Sequence, residues 1–227
     1  MLTLAKGPRL NRHPFVPYAP LHADYSDQHR PTMAVTESRM LSLGTLAPSF
    51  ELPAANPGVD DAGGATRSLD DYPDAEAYVV VFSCNHCPYV KHIEDALVDV
   101  ARMYQSRGVQ FIAICSNNTD THPQDGIEHM AERASAKGFP FPYLRDDTQE
   151  VAQAYAAACT PDFFVFDADQ ELVYRGRFDE TRPNKGAAHG GDLTQALDEL
   201  LEEGTVSIEQ RPSMGCNIKW KSGNEPA

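Results

Sequence analysis

Positive charge is scarce in this chain of 227 residues: 19 Lys and Arg stand against 33 Asp and Glu, a formal net charge of −14. No basic stripe or block appears, which argues against a phosphate-tracking nucleic-acid surface. Long apolar runs are lacking too. None approaches the roughly 20 residues that cross a bilayer, and the first residues lack the apolar core of a secretion signal. Tryptophan occurs once, at Trp220, where a packing anchor is expected rather than a substrate platform. The cysteines are five, at 84, 87, 115, 159 and 216, an odd count that does not suit a secreted disulfide framework. A cytoplasmic, reducing location is therefore expected, and there a C-x-x-C serves redox or metal chemistry.

Residues 1–32 hold five prolines and no helical periodicity, so a disordered extension is expected there, with Met33 opening a cleaner start. Ala77–Phe82 is a continuous β-branched run that reads as a strand buried on both faces. Val90, Ile93, Leu97, Val100 and Tyr104 then mark one face of a helix over 85–106 that stops at Gly108, and Val109–Cys115 reads as a second buried strand. These form a β-α-β unit with parallel strands. A helix over Ile127–Ala134 ends at Gly138, and Asp147–Glu150 reads as a capping box for a short helix carrying Val151 and Tyr155. A hairpin follows around the DADQ turn at 167–170, then a helix bearing Leu193, Leu197 and Leu200 that ends at Gly204. The order predicts one α/β domain over 33–204. The tail, 205–227, is expected to pack on it through Ile208, Met214, Ile218 and Trp220.

Chemistry concentrates in SCNHCPYVKH, residues 83–92. Cys84, His86, Cys87 and His92 form C-x-H-C-x₄-H, a donor set adequate for Zn²⁺ or Cu(I). Cys84 and Cys87 equally form a redox pair, and the spacing alone permits both. At the start of a helix over 85–106, Cys84 would meet unpaired N–H groups and the positive end of the helix dipole, which stabilise a thiolate. Cys84 is then the expected attacking thiol, Cys87 the resolving one, and a protonated His86 adds positive charge. Parallel strands put Cys84 and Cys115 at one sheet edge, and an antiparallel strand from Asp162 would start Cys159 there too. Cys115, Cys159 and Cys216 are candidate additional redox thiols, against the plainer reading of Cys115 and Cys159 as small buried hydrophobes.

Three motifs together resemble the thioredoxin superfamily, in its redoxin (AhpC/TSA-like) branch of peroxiredoxin-like proteins and thiol-disulfide oxidoreductases. LGTLAPSFEL at 43–52 resembles the G-x-x-A-P-x-F opening strand of that branch, VVVFSCNHC its strand-to-helix redox motif, and Thr160–Pro161 its cis-proline facing the cysteines. CNHCPY with GCNIKW near the end resembles a bacterial group within it. The resemblance implies a thioredoxin-like fold with a central mixed sheet flanked by helices, a Cys84–Cys87 redox disulfide, and a substrate groove shaped by Thr160 and Pro161. It implies disulfide exchange with a protein or small thiol and an outside reductant, with no cofactor and no metal. Two departures stand out. Ser83 replaces the tryptophan common before the first cysteine, and the strand carries no acid to serve as proton acceptor. Peroxiredoxins carry P-x-x-x-T-x-x-C, yet Val81 and Cys84 occupy the positions three before Cys84 and Cys87, so the threonine is missing. A thiol peroxidase and a thioredoxin-fold metal carrier stand as alternatives.

Overall fold

The structure is a computed structural model that describes residues 35–226; the extension expected over 1–32 lies outside them. The chain begins with three short strands, Val35–Glu37 (β1), Leu52–Pro53 (β2) and Thr66–Arg67 (β3). The central unit follows: Ala77–Phe82 (β4), helix Pro88–Gln105 (α1), Val109–Cys115 (β5), helix Ile127–Lys137 (α2) and Tyr143–Arg145 (β6). Helix Glu150–Ala154 (α3) leads to Cys159–Thr160 (β7), Asp162–Asp167 (β8) and Leu172–Gly176 (β9). Helix Gly191–Glu203 (α4) and strand Met214–Asn217 (β10) complete the chain.

All six residues of β4 are buried, as a strand covered on both faces requires. The central sheet has the order β6-β5-β4-β8-β9. β4, β5 and β6 run parallel, while β8 and β9 are antiparallel to their neighbours. Alternation along β4 sends Val79 and Val81 into one apolar layer with α1, α2 and α4. Tyr78, Val80 and Phe82 enter the other, with Val151 and Ala152 of α3. The sheet is thus mixed and flanked by helices on both faces.

Polar links fix the helices. Glu94 is buried on the inner side of α1, and Arg133 of α2 grips both its oxygens, with Nη2 at 2.7 Å from Oε2. Lys137 adds a contact at 3.2 Å. This buried carboxylate holds α2 against α1.

Three expectations are corrected. α1 starts at Pro88, not 85, because Pro is accepted at the first helical position and Cys87, in extended backbone, becomes its cap. The segment 43–52 is no regular strand: it touches the β8–β9 hairpin through an isolated Leu46–Glu171 bridge, and Pro48 has no N–H to extend the ladder. At α3 the cap comes from different groups than Asp147. Thr148 Oγ1 accepts the Glu150 N–H and Asp146 Oδ2 the Ala152 N–H, while Asp147 pairs with Arg145 and Lys221.

Glu94→Ala leaves two cations facing an apolar gap. Urea denaturation should show a loss of about 2–3 kcal/mol, toward the low end for a broken buried pair because Arg133 is partly solvated.

Candidate active site

The carboxyl end of β4 delivers Ser83–Cys87 to the mouth of the sheet, and α1 departs from there. Opposite it, β7 and β8 are joined by Thr160–Pro161, whose peptide bond is cis. From a third side comes β10, antiparallel to β7 with Cys216 opposite Thr160, and antiparallel to β1 on its other edge. Ile218 is buried and Trp220 packs beside it in the α3-side core, while Val206 and Ile208 pack on the other layer.

Cys87 stands at the centre. Its Sγ lies 2.8 Å from Cys216 Sγ and 3.1 Å from the Thr160 carbonyl oxygen. As a thiolate it accepts from the Cys216 and Cys84 thiols, and the Val90 amide in the first turn of α1 adds to this; together they outweigh burial and pull its pKa down to about 2. The Thr160 carbonyl works the other way and favours the thiol. Cys84 is the reverse case. Burial pushes its thiol well above the ordinary range, and Cys87, Asp125 and Cys115 push the same way. Cys216 is also raised, by giving its proton toward Cys87 and by burial. Cys84 Sγ meets Thr160 Oγ1 at 3.4 Å.

Asp125, from the loop after β5, is the carboxylate that the strand sequence lacks. Its Oδ1 accepts the Asn85 N–H at 2.8 Å, and its Oδ2 meets His86 Nδ1 at 2.7 Å and the Asn117 amide at 2.9 Å. Burial pushes this carboxyl up, but His86, Asn117 and Asn85 outweigh it and hold it below the ordinary range. His86 is therefore not a bare positive charge beside Cys84, as the sequence suggested. It is the partner of a buried anion, stacked on His122 at 4.7 Å between ring centroids, with Nε2 buried and unpartnered.

The four-donor set of the alternative metal reading is not assembled among the described residues. Cys84, His86 and Asp125 bring ligand atoms within 4.8 Å of one another. His92, however, bonds Thr181 at 2.8 Å, and Cys87 turns toward Cys216. Cys115 and Cys159 adjoin the site as buried thiols. Burial lifts Cys115 to about 12, its Sγ lying 3.9 Å from the Asp125 carbonyl, and raises Cys159 as well. Asp125 and the contact of Cys216 with Cys87 were missed from sequence. The signal for Asp125 was present: an acid in a Pro-Gln-Asp turn leaving the same sheet edge as Cys84.

A groove of about 340 Å³ opens beside these thiols, lined by Tyr89, His92, Pro161, Phe178, Thr181 and Met214. The sulfurs themselves are closed off: Cys84 is 1 % exposed, Cys87 0 % and Cys216 2 %.

The AhpC/TSA family profile matches residues 43–175. The chain belongs to the AhpC/TSA family. Two solved structures are 47% and 43% identical to it over the matched residues. One, an uncharacterized conserved protein from Geobacillus kaustophilus, has a TM-score of 0.78, with 84% of this chain and 98% of that one covered. The other, a hypothetical protein from Sinorhizobium meliloti, has a TM-score of 0.77, with 83% and 100% covered. Peroxidoxin BcpB from Mycobacterium tuberculosis shares the fold at 18% identity and a TM-score of 0.51, over 71% of this chain and 97% of that one. No curated protein matches the chain. The fold is thioredoxin-like, and the family is one of thiol oxidoreductases and peroxidases in the broad sense.

Asp162, fully buried behind Pro161, gives a pH test. Burial raises its carboxyl to about 7, against the Ala158 and Cys159 N–H groups and the Ser38 hydroxyl. A raised folded-state pKa gives stability that is full below about 4, the unfolded value, and is lost as pH climbs through 7. Melting temperature should fall between pH 4 and 7, and Asp162→Asn should flatten that slope.

Proposed function

We propose that the protein is a thiol-disulfide oxidoreductase in which Cys87 attacks and Cys84 resolves. The observation that supports it most is the placement of the two sulfurs: Cys87 caps α1 with the Cys216 thiol 2.8 Å away, which pulls its pKa down, whereas Cys84 is buried beside Asp125, which pushes its thiol up. These roles are the reverse of those that a helix over 85–106 predicts. The Cys87 thiolate attacks one sulfur of a substrate disulfide, forming a mixed disulfide and releasing the other sulfur as a thiolate. Cys84 then gives up its proton and attacks the Cys87 sulfur, releasing the second substrate thiol and closing Cys84–Cys87. The Asp125–His86 pair, whose atoms lie within 4.8 Å of Cys84 Sγ, is positioned to take that proton. An outside dithiol reductant, supplied in the cytoplasm, reopens the disulfide. No cofactor enters this cycle.

Peroxide reduction is the second reading, favoured by the burial of Cys87, which a small oxidant reaches more readily than a protein disulfide does. There the thiolate attacks the peroxide oxygen, the O–O bond breaks to give water or an alcohol, and the sulfenic acid condenses with Cys84, releasing water.

Turnover of a protein disulfide and of hydrogen peroxide, each with dithiothreitol as reductant, separates the two. Wild type should reduce the disulfide, Cys87→Ser should lose at least a hundredfold of that activity, and Cys84→Ser/Cys216→Ser, which keeps the attacking thiol without either neighbouring thiol, should accumulate a mixed disulfide through Cys87. Fast peroxide consumption with no disulfide turnover would replace the first reading by the second.

A further inference from the structure

β10 occupies the backbone edge of β7, directly before Pro161. It pairs antiparallel with Cys159–Thr160, the two residues before Pro161, with Cys216 opposite Thr160 and Asn217 opposite Cys159. Strand addition to an open edge is a general mode of peptide recognition, in which backbone bonds hold the peptide and alternate side chains enter the site. The approach is unusually close. A Cβ at Gly215 would stand 2.0 Å from the Thr160 carbonyl oxygen, so only glycine allows the strand to settle there.

Downstream, the segment is held by hydrogen bonds to three other parts of the chain. Ile218 N–H donates to the Ala158 carbonyl, Lys219 N–H to Asn117 Oδ1, and Lys221 N–H to Gln149 Oε1. Upstream, Ser213 donates its hydroxyl to the Gly176 carbonyl and its N–H to Ser38. This anchoring on either side delivers one side chain to the site. Cys216 Sγ sits 2.8 Å from Cys87 Sγ, across 129 residues of sequence. The separation falls between a bonded disulfide, about 2.05 Å, and ordinary non-bonded sulfur contact.

We propose that Cys216 is a third redox thiol, and that its strand is an internal substrate strand which forms a disulfide with Cys87. The proposal rests on Cys87 being the attacking thiolate and goes beyond the Cys84–Cys87 pair. Cys87 is then shared by two partners. When Cys84–Cys87 is oxidised, the Cys216 thiolate attacks the Cys87 sulfur, the Cys84–Cys87 bond breaks, and Cys84 leaves as the thiolate. It is reprotonated by the proton that Cys216 gave up, with Asp125–His86 beside it. No electrons are gained or lost in this exchange; the disulfide moves from the first turn of α1 to the tail. The same attack on a mixed disulfide at Cys87 would expel the substrate thiol without Cys84.

The test uses the full chain. Reduced protein is treated with diamide, which takes two electrons and two protons from a pair of thiols. Remaining thiols are then alkylated, and tryptic peptides are mapped by mass spectrometry. In Cys84→Ser the major disulfide should link the peptide ending at Lys91 to the peptide ending at Lys219, and the link should vanish in Cys84→Ser/Cys216→Ser. The first variant leaves β10 untouched, so the result does not depend on a Cys216 variant folding. Recovery of Cys216 fully alkylated from oxidised Cys84→Ser, with Cys87 linked to another chain or over-oxidised, would overturn the proposal. A Cys87–Cys216 link in a wild-type protein that turns over no disulfide would retire the oxidoreductase reading alone. Disulfide turnover with no such link would retire the third thiol alone.

Discussion

Pro88 has no amide hydrogen to give to a helix, so it is accepted in the first turn of α1 and nowhere deeper, and the residue before it becomes the cap. That residue is Cys87. Its sulfur therefore takes up the free N–H field of the first turn, while Cys84 remains in the loop above, between Thr160 and Asp125. The difference in their ionisation follows from this register and from burial. A helix that began three residues earlier would hand the same field to Cys84.

The second dependence is on closure. β10 and the Thr160–Pro161 turn bury three sulfurs together; burial raises the Cys84 thiol, while the hydrogen bond to Cys87, and then burial, raise Cys216. The tail is therefore part of the chemistry of Cys87, since the Cys216 thiol is one of the donors that steady its charge. Asp162 links this closure to pH. It is tied to the chain just before Pro161 and to Ser38 next to β1, so charging it loads two of the strands that cover the site.

What could be read in the sequence was local and periodic. Ala77–Phe82 and Val109–Cys115 fall where their β-branched runs end, because such segments have no other stable place than a doubly covered sheet. α2 stops at Gly138, whose left-handed backbone ends it as its glycine suggested. β8 runs antiparallel to β4, which meets the condition under which Cys159 falls at the sheet edge of Cys84. What escaped was set by long-range contact. No spacing rule connects Cys87 with Cys216, which lie 129 residues apart. Asp125 is not legible because the strand carries no acid and the chain supplies one from a loop some 40 residues further on, where only the fold brings it to Asn85 and His86.

The most direct measurement is the ultraviolet absorbance of thiolate as a function of pH, in wild type, Cys84→Ser and Cys87→Ser. One thiol of the wild type should be ionised far below the ordinary cysteine value of about 8.5. That step should persist in Cys84→Ser, where a serine hydroxyl still donates to the anion, and disappear in Cys87→Ser. Its loss in Cys84→Ser with retention in Cys87→Ser would contradict the account, for the helix N-terminus would then be acting on the other sulfur.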